Sequence, residues 1–224
     1  MHDDTNAPLE DENDTPDPAA GTSAAVGRKR PKPGERRIQI LQALATMLEQ
    51  PAGERITTAA LAARLEVSEA ALYRHFASKA QMFEGLIEFI EQSVFTLANQ
   101  ITGRDLDEGT ATGARQCARI IAMVVQFAEK NPGMARVMVG DALVFENERL
   151  QQRMNQFFDK IEAILKQCLR AHANPSAATP TVDAQVRAAV LTAFVAGRLQ
   201  RFVRSGFRRL PSEHLDSSLA VVLG

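Results

Sequence analysis

The residues Thr57 to Lys79, TTAALAARLEVSEAALYRHFASK, constrain the fold of this chain more than any other stretch. Two short runs of helix-forming residues flank Glu66-Val67-Ser68, which leaves room only for a tight turn. The first run, about residues 58–65, places Leu61 and Leu65 on one side. Val67 is expected inside, and Ser68 is positioned to cap the second helix, which carries Ala70, Ala71, Leu72, Tyr73, Arg74 and His75. Small residues at Ala60, Ala63 and Ala71 let the two helices cross closely, as a helix-turn-helix requires. The outer surface is then left with Thr57, Thr58, Ser68, Glu69, Ala70, Tyr73, Arg74, His75 and Lys79. These residues predict a DNA-facing surface: apart from Ala70 they carry polar side chains, which can bond phosphates or reach base edges.

Charge supports that direction once the chain is divided. The net charge is −1, but residues 1–26 hold seven acids (Asp3, Asp4, Glu10, Asp11, Glu12, Asp14, Asp17) and no Lys or Arg. The remainder therefore carries +6, because the leader alone contributes −7. From Arg28 to Lys79 there are ten Lys or Arg against five Glu. The helix-turn-helix lies in the basic part, the sign needed to approach a polyanion.

Three regions follow. Residues 1–33 are polar and offer little to bury, which predicts an unfolded acidic leader ending in the basic arm Arg28-Lys29-Arg30-Pro31-Lys32. Residues 34–80 form the DNA-binding domain and residues 81–224 a helical body. The first helix, about 35–49, sets Ile38, Leu41, Leu44, Ala45 and Leu48 on one stripe. Ser78-Lys79-Ala80-Gln81 fits a capping box for a fourth helix, which is apolar around much of its circumference and is expected to break near Thr102. Helical periodicity continues over about 114–130, 134–139, 147–171, 182–205 and 212–223. No run of alternating β-branched residues interrupts it, so the fold class is all-α. Val190, Phe194, Gly197 and Phe202 fall on a stripe that serves either the core or an interface between copies, where Gly197 permits close approach.

The sequence speaks against several classes of function. No apolar run reaches the roughly 18 residues of a membrane span. The acidic N-terminus does not read as a signal peptide, and a cytoplasmic protein is expected. Cys117 and Cys168 both fall on apolar helical faces, consistent with reduced core thiols. His2, His75, His172 and His214 lack metal-ligand spacing, and there is no phosphate loop, nucleophile elbow or paired-carboxylate motif. An enzyme is not expected, nor a cofactor.

A three-helix head on a helical body resembles the TetR family of transcription regulators. The segment VSEAALYRHFASKAQMFEGLIEFIE, 67–91, carries the resemblance through Tyr73, Phe76, Ser78-Lys79 and Phe83. It is closer still to the nucleoid occlusion branch of that family. Besides residues 55–79, it includes LIEFIE (86–91), EKNPG (129–133), ALVFENERLQQRMNQFF (142–158) and RFVRSGF (201–207). That resemblance implies a nucleoid-associated homodimer bound to palindromic sites, which captures the C-terminal tail of the division tubulin homologue FtsZ. It also implies a groove for the tail between helices four and five, with Phe89, Met123, Gln126, Lys130 and Asn131 in it. A ligand-responsive repressor is the alternative that the TetR architecture allows. Two positions depart from the family pattern. Glu66 stands where Gly is usual, at an expected cost of about 1–2 kcal/mol if the backbone there is left-handed. Ala77 stands where Pro is common.

Overall fold

The computed structural model describes residues 34–50, 56–107, 113–171 and 180–223. The acidic leader and basic arm lie outside the described residues. Every regular element among the described residues is helical. They are α1 (Glu35–Leu48), α2 (Thr58–Arg64), α3 (Glu69–Tyr73), α4 (Lys79–Asp107), α5 (Gly113–Lys130), α6 (Pro132–Met138), α7 (Glu148–Ala171), α8 (Pro180–Arg204) and α9 (Leu215–Leu223). A single 3-10 turn, Asp141–Leu143, precedes α7. Helix α4 continues through the break expected at Thr102.

The head assembles from local signals. Thr57 caps α2 by accepting from the Ala60 amide at 3.1 Å, and Ser68 caps α3 by accepting from the Ala71 amide at 3.3 Å. Between them, the Val67 amide donates to the Ala62 carbonyl at 3.0 Å and the Glu66 amide to the Ala63 carbonyl at 3.1 Å. This pair of bonds is a Schellman motif, and it requires a left-handed residue after the helix. That residue is Glu66, with φ 53°. Ser78 opens α4 by accepting from the Gln81 amide at 3.2 Å, and Gln81 Oε1 in return accepts from the Ala77 amide at 2.8 Å.

Head and body share one hydrophobic core. Ile40, Leu44, Leu61, Leu72 and Phe76 from α1–α3 and the start of α4's approach join Phe83, Ile87, Ile120, Val124, Phe157 and Leu199 from the body. The boundary expected at residue 80 thus falls within a continuous core at the start of α4. The stripe expected on α1 needs one correction. Ile40, Leu44 and Leu48 are buried at steps of four, whereas Ile38 is exposed, because two residues correspond to about 200° of helix rotation. Helix α8 resolves into two faces: Ala188, Leu191, Val195, Leu199 and Phe202 are buried, while Val182, Val186 and Val190 are exposed. Phe202, placed in sequence on the prospective interface stripe, is 1% exposed and packs on Phe207 in the chain's own core.

Both cysteines are free and buried. The Cys117 thiol donates weakly to the Leu165 carbonyl at 3.5 Å. Its hydrogen bond with Cys168, followed by burial, pushes its pKa well above the ordinary thiol range.

Candidate nucleic-acid interface and partner surface

The outer face of α2–α3 is polar and presented from rigid elements. Tyr73 is 46% exposed, and Ala70, Arg74 and His75 are also exposed. Neither the Tyr73 hydroxyl nor the Arg74 guanidinium has a hydrogen-bond or ionic partner among the described residues. Both are therefore available to an incoming acceptor such as a phosphate. The other positions are partly committed. Thr57 and Ser68 spend their hydroxyls on caps. Thr58 donates to Glu69 Oε2 at 2.5 Å, which orients that carboxylate and links α2 to α3. Lys79 is half-buried and ion-paired with Glu146.

One residue of this region escaped the sequence reading. Arg37 of α1 donates to the His75 carbonyl at 3.0 Å, and its guanidinium stacks 4.1 Å from the centre of the Phe76 ring. It braces the end of α3, where the last carbonyls lack helical partners. Arg136 of α6 plays a similar part for α1, donating to the Leu48 and Gln50 carbonyls at 3.2 and 3.3 Å and to Asp141 at 2.6 Å.

The second prospective surface lies on the packed pair α4 and α5. Phe89 on α4 is 48% exposed, an unusual position for a large aromatic ring. On α5, Gln126 and Lys130 are exposed and Met123 is half-buried against the core. Lys130 has no ion pair among the described residues. Asn131 turns back, its amide donating to the Phe127 carbonyl at 2.8 Å, so part of its role is to close the end of α5. The opposite side of α4 is fastened to α7 by polar contacts. Glu84 pairs with Arg149, Glu91 with Arg153 at 2.6 Å, and the Lys160 ammonium lies 5.7 Å from the Phe95 ring centre. The Glu91 hydrogen bond is also what raises the Arg153 pKa above its ordinary value.

Helix α8 presents a third feature. Its exposed valines, Val182, Val186 and Val190, continue into exposed Ala193 and Gly197. A Cβ added at Gly197 would meet nothing within 4 Å, so the chain's own packing does not require this glycine. Phe194 is half-buried beneath the Arg198 guanidinium, 4.5 Å from the ring centre, and lines a cleft of about 540 Å³ between α8 and the start of α9.

A capped helix-turn-helix head fused through one long helix to a helical body is the architecture of TetR-type DNA-binding regulators, a class of regulators rather than enzymes. The family comparisons agree. Residues 40–86 match the model for bacterial regulatory proteins of the tetR family, and residues 113–223 match a tetracyclin repressor-like C-terminal domain of the SlmA-like type. Solved structures share the fold. A transcriptional regulator from Rhodococcus sp. Rha1 superposes with a TM-score of 0.66 at 20% identity, covering 84% of this chain and 94% of that one. FadR from Bacillus subtilis, solved in complex with stearoyl-CoA, gives 0.63 at 16% identity, covering 84% and 97%.

Curated relatives are much nearer in sequence. The nucleoid occlusion factor SlmA of Idiomarina loihiensis is 51% identical over 187 residues, 84% of this chain and 93% of the relative. That of Shewanella pealeana is 50% identical over 181 residues, 81% and 89%. The chain belongs to the SlmA family of nucleoid occlusion factors. Among the described residues no helix is long and apolar enough to cross a membrane.

Proposed function

We propose that this protein is a nucleoid-associated homodimer that binds palindromic chromosomal sites and, from there, binds the C-terminal tail of FtsZ and antagonises Z-ring assembly. The observation that carries this reading is the reach of the similarity. It extends through the body at about half identity, where a shared fold alone would leave the surface free to diverge. Two α3 helices of a dimer enter successive major grooves, about one helical turn apart. Tyr73 and Arg74 supply contacts to the DNA, with Thr57, Thr58, Ser68, Glu69, Ala70, His75 and Lys79 around them. The tail lies along α4 and α5, with Phe89 as apolar anchor and Lys130 as cation, beside Met123, Gln126 and Asn131. This is peptide capture in a helix-flanked groove with a charge added. The α8 stripe, with exposed Val190 and Gly197 and half-buried Phe194, forms the dimer contact, and α4 connects the two working surfaces in each protomer.

The test is titration of a labelled FtsZ C-terminal peptide into the protein with and without bound DNA. The expected result is saturable binding in the presence of DNA, lost in Lys130→Glu, while Arg74→Ala loses DNA but remains folded. Absence of peptide binding in both states, together with release from DNA by a small ligand, would support the ligand-responsive repressor instead. Equal peptide affinity in Lys130→Glu would reduce that residue to a helix-end role.

A further inference from the structure

Lys79 follows α4's Ser78 cap and stands at the junction between the α2–α3 face and the body. Its ammonium is paired with Glu146, in the segment joining the 3-10 turn to α7, and lies 5.6 Å from the centre of the Phe83 ring. The Lys79 side chain is 20% exposed and that of Glu146 only 9%. A phosphate arriving at Lys79 therefore meets a cation already neutralised by a sheltered carboxylate, and the carboxylate repels the phosphate itself. Removing Lys79 from Glu146 would leave a nearly buried charge without its partner, which is strongly unfavourable unless the carboxylate regains water.

We infer that Lys79 and Glu146 form a latch, in which Glu146 and a DNA phosphate compete for one ammonium. Glu146 is then a positioning residue that restrains DNA affinity. The inference rests on the DNA-facing assignment of α2–α3. Its structural consequence follows from what surrounds Glu146. The segment is fastened by Arg136–Asp141 before it and by Arg149–Glu84 after it, and the next pair along is Arg153–Glu91. Those last two pairs grip α4 on either side of the turn that bears Phe89. Glu146 therefore lies in a segment whose neighbouring ion pairs reach α4 on both sides of Phe89 in sequence.

The experiment measures binding of a fluorescein-labelled duplex, selected by the wild-type protein from a randomised pool, by anisotropy over a range of salt. Glu146→Gln keeps the shape and removes the competing charge. It should tighten binding about three- to tenfold at ~0.1 M salt and leave the log–log salt slope unchanged, because the released wild-type ammonium makes the same phosphate contact. Glu146→Asp, which withdraws the carboxylate, should shift affinity in the same direction. Lys79→Gln should weaken binding, and adding Glu146→Gln to it should give a clearly smaller gain than in the wild-type background, since only the carboxylate's direct repulsion of the phosphate is left once the ammonium is gone. Unchanged or weaker binding by Glu146→Gln, or an equal gain in the Lys79→Gln background, overturns the latch. Arg74→Ala separates the two levels. If it abolishes binding while Glu146→Gln is silent, the latch alone fails; if it leaves binding intact, the DNA-facing assignment fails and takes the latch with it.

Discussion

Glu66 shows how one residue can be tolerated against its own conformational preference. The Schellman motif needs a left-handed residue at this point, and a side chain there crowds the backbone at a cost of about 1–2 kcal/mol. The cost is met because both amide bonds of the motif form and Val67 packs against the core. Glu66→Gly removes the crowding without altering the path of the chain. Its own side chain is exposed, and contacts there are screened. Urea unfolding should therefore show Glu66→Gly more stable by on the order of 1 kcal/mol, less whatever Gly loses in unfolded-state entropy. A destabilised variant would mean that the carboxylate makes a contact worth more than the backbone strain. The departure from the family's usual glycine was visible in sequence, but φ was not, because the same residues also permit an ordinary turn.

At the scale of elements, what could be read in advance was what depends on neighbours along the chain. The helices of the head, the caps at Ser68 and Ser78 and the close of α5 near Asn131 all follow from residues within four positions of one another. The bracing contacts do not. Arg153 meets Glu91 from 62 residues away, and Arg136 meets Leu48 from 88. Gly133 illustrates both kinds. In sequence, Asn131-Pro132-Gly133 reads as a stop for α5. In the fold, a Cβ at Gly133 would stand 2.0 Å from the Ala45 carbonyl oxygen and 3.1 Å from Leu48 Cβ. Glycine is thus required by the approach of α1 to α6, which joins head to body. Gly133→Ala must push the two helices apart, and neither contacting group is a flexible side-chain tip. The expected loss is roughly 1–3 kcal/mol or more, read as a lowered denaturation midpoint, together with weaker DNA binding because α1 also carries Arg37. Wild-type stability in this variant would show that α1 moves aside freely.

For the whole molecule, the proposed dimer depends on which face of α8 the protomer leaves open, and the two faces make opposite predictions. Helical periodicity groups Phe202 with Val190, Phe194 and Gly197 because it cannot say how wide a buried arc is; the fold puts it inside. Phe202→Ala should thus open a core cavity and cost about 3–5 kcal/mol of stability. Val190 is 48% exposed in the single chain, so Val190→Glu should leave the protomer's core intact. A two-fold interface is made of the same patch on both copies, so one substitution sets two carboxylates into a single contact. Sedimentation should then show a monomer with native helical content. The DNA consequence follows from linkage of the two heads. A dimer binds its second half-site intramolecularly, a gain of about 10²-fold or more that a monomer forfeits. Affinity for a palindromic duplex should fall by that factor while affinity for an isolated half-site stays the same. A Val190→Glu protein that sediments as a dimer would remove the α8 stripe from the interface, and the open space beside Gly197 would then need another occupant.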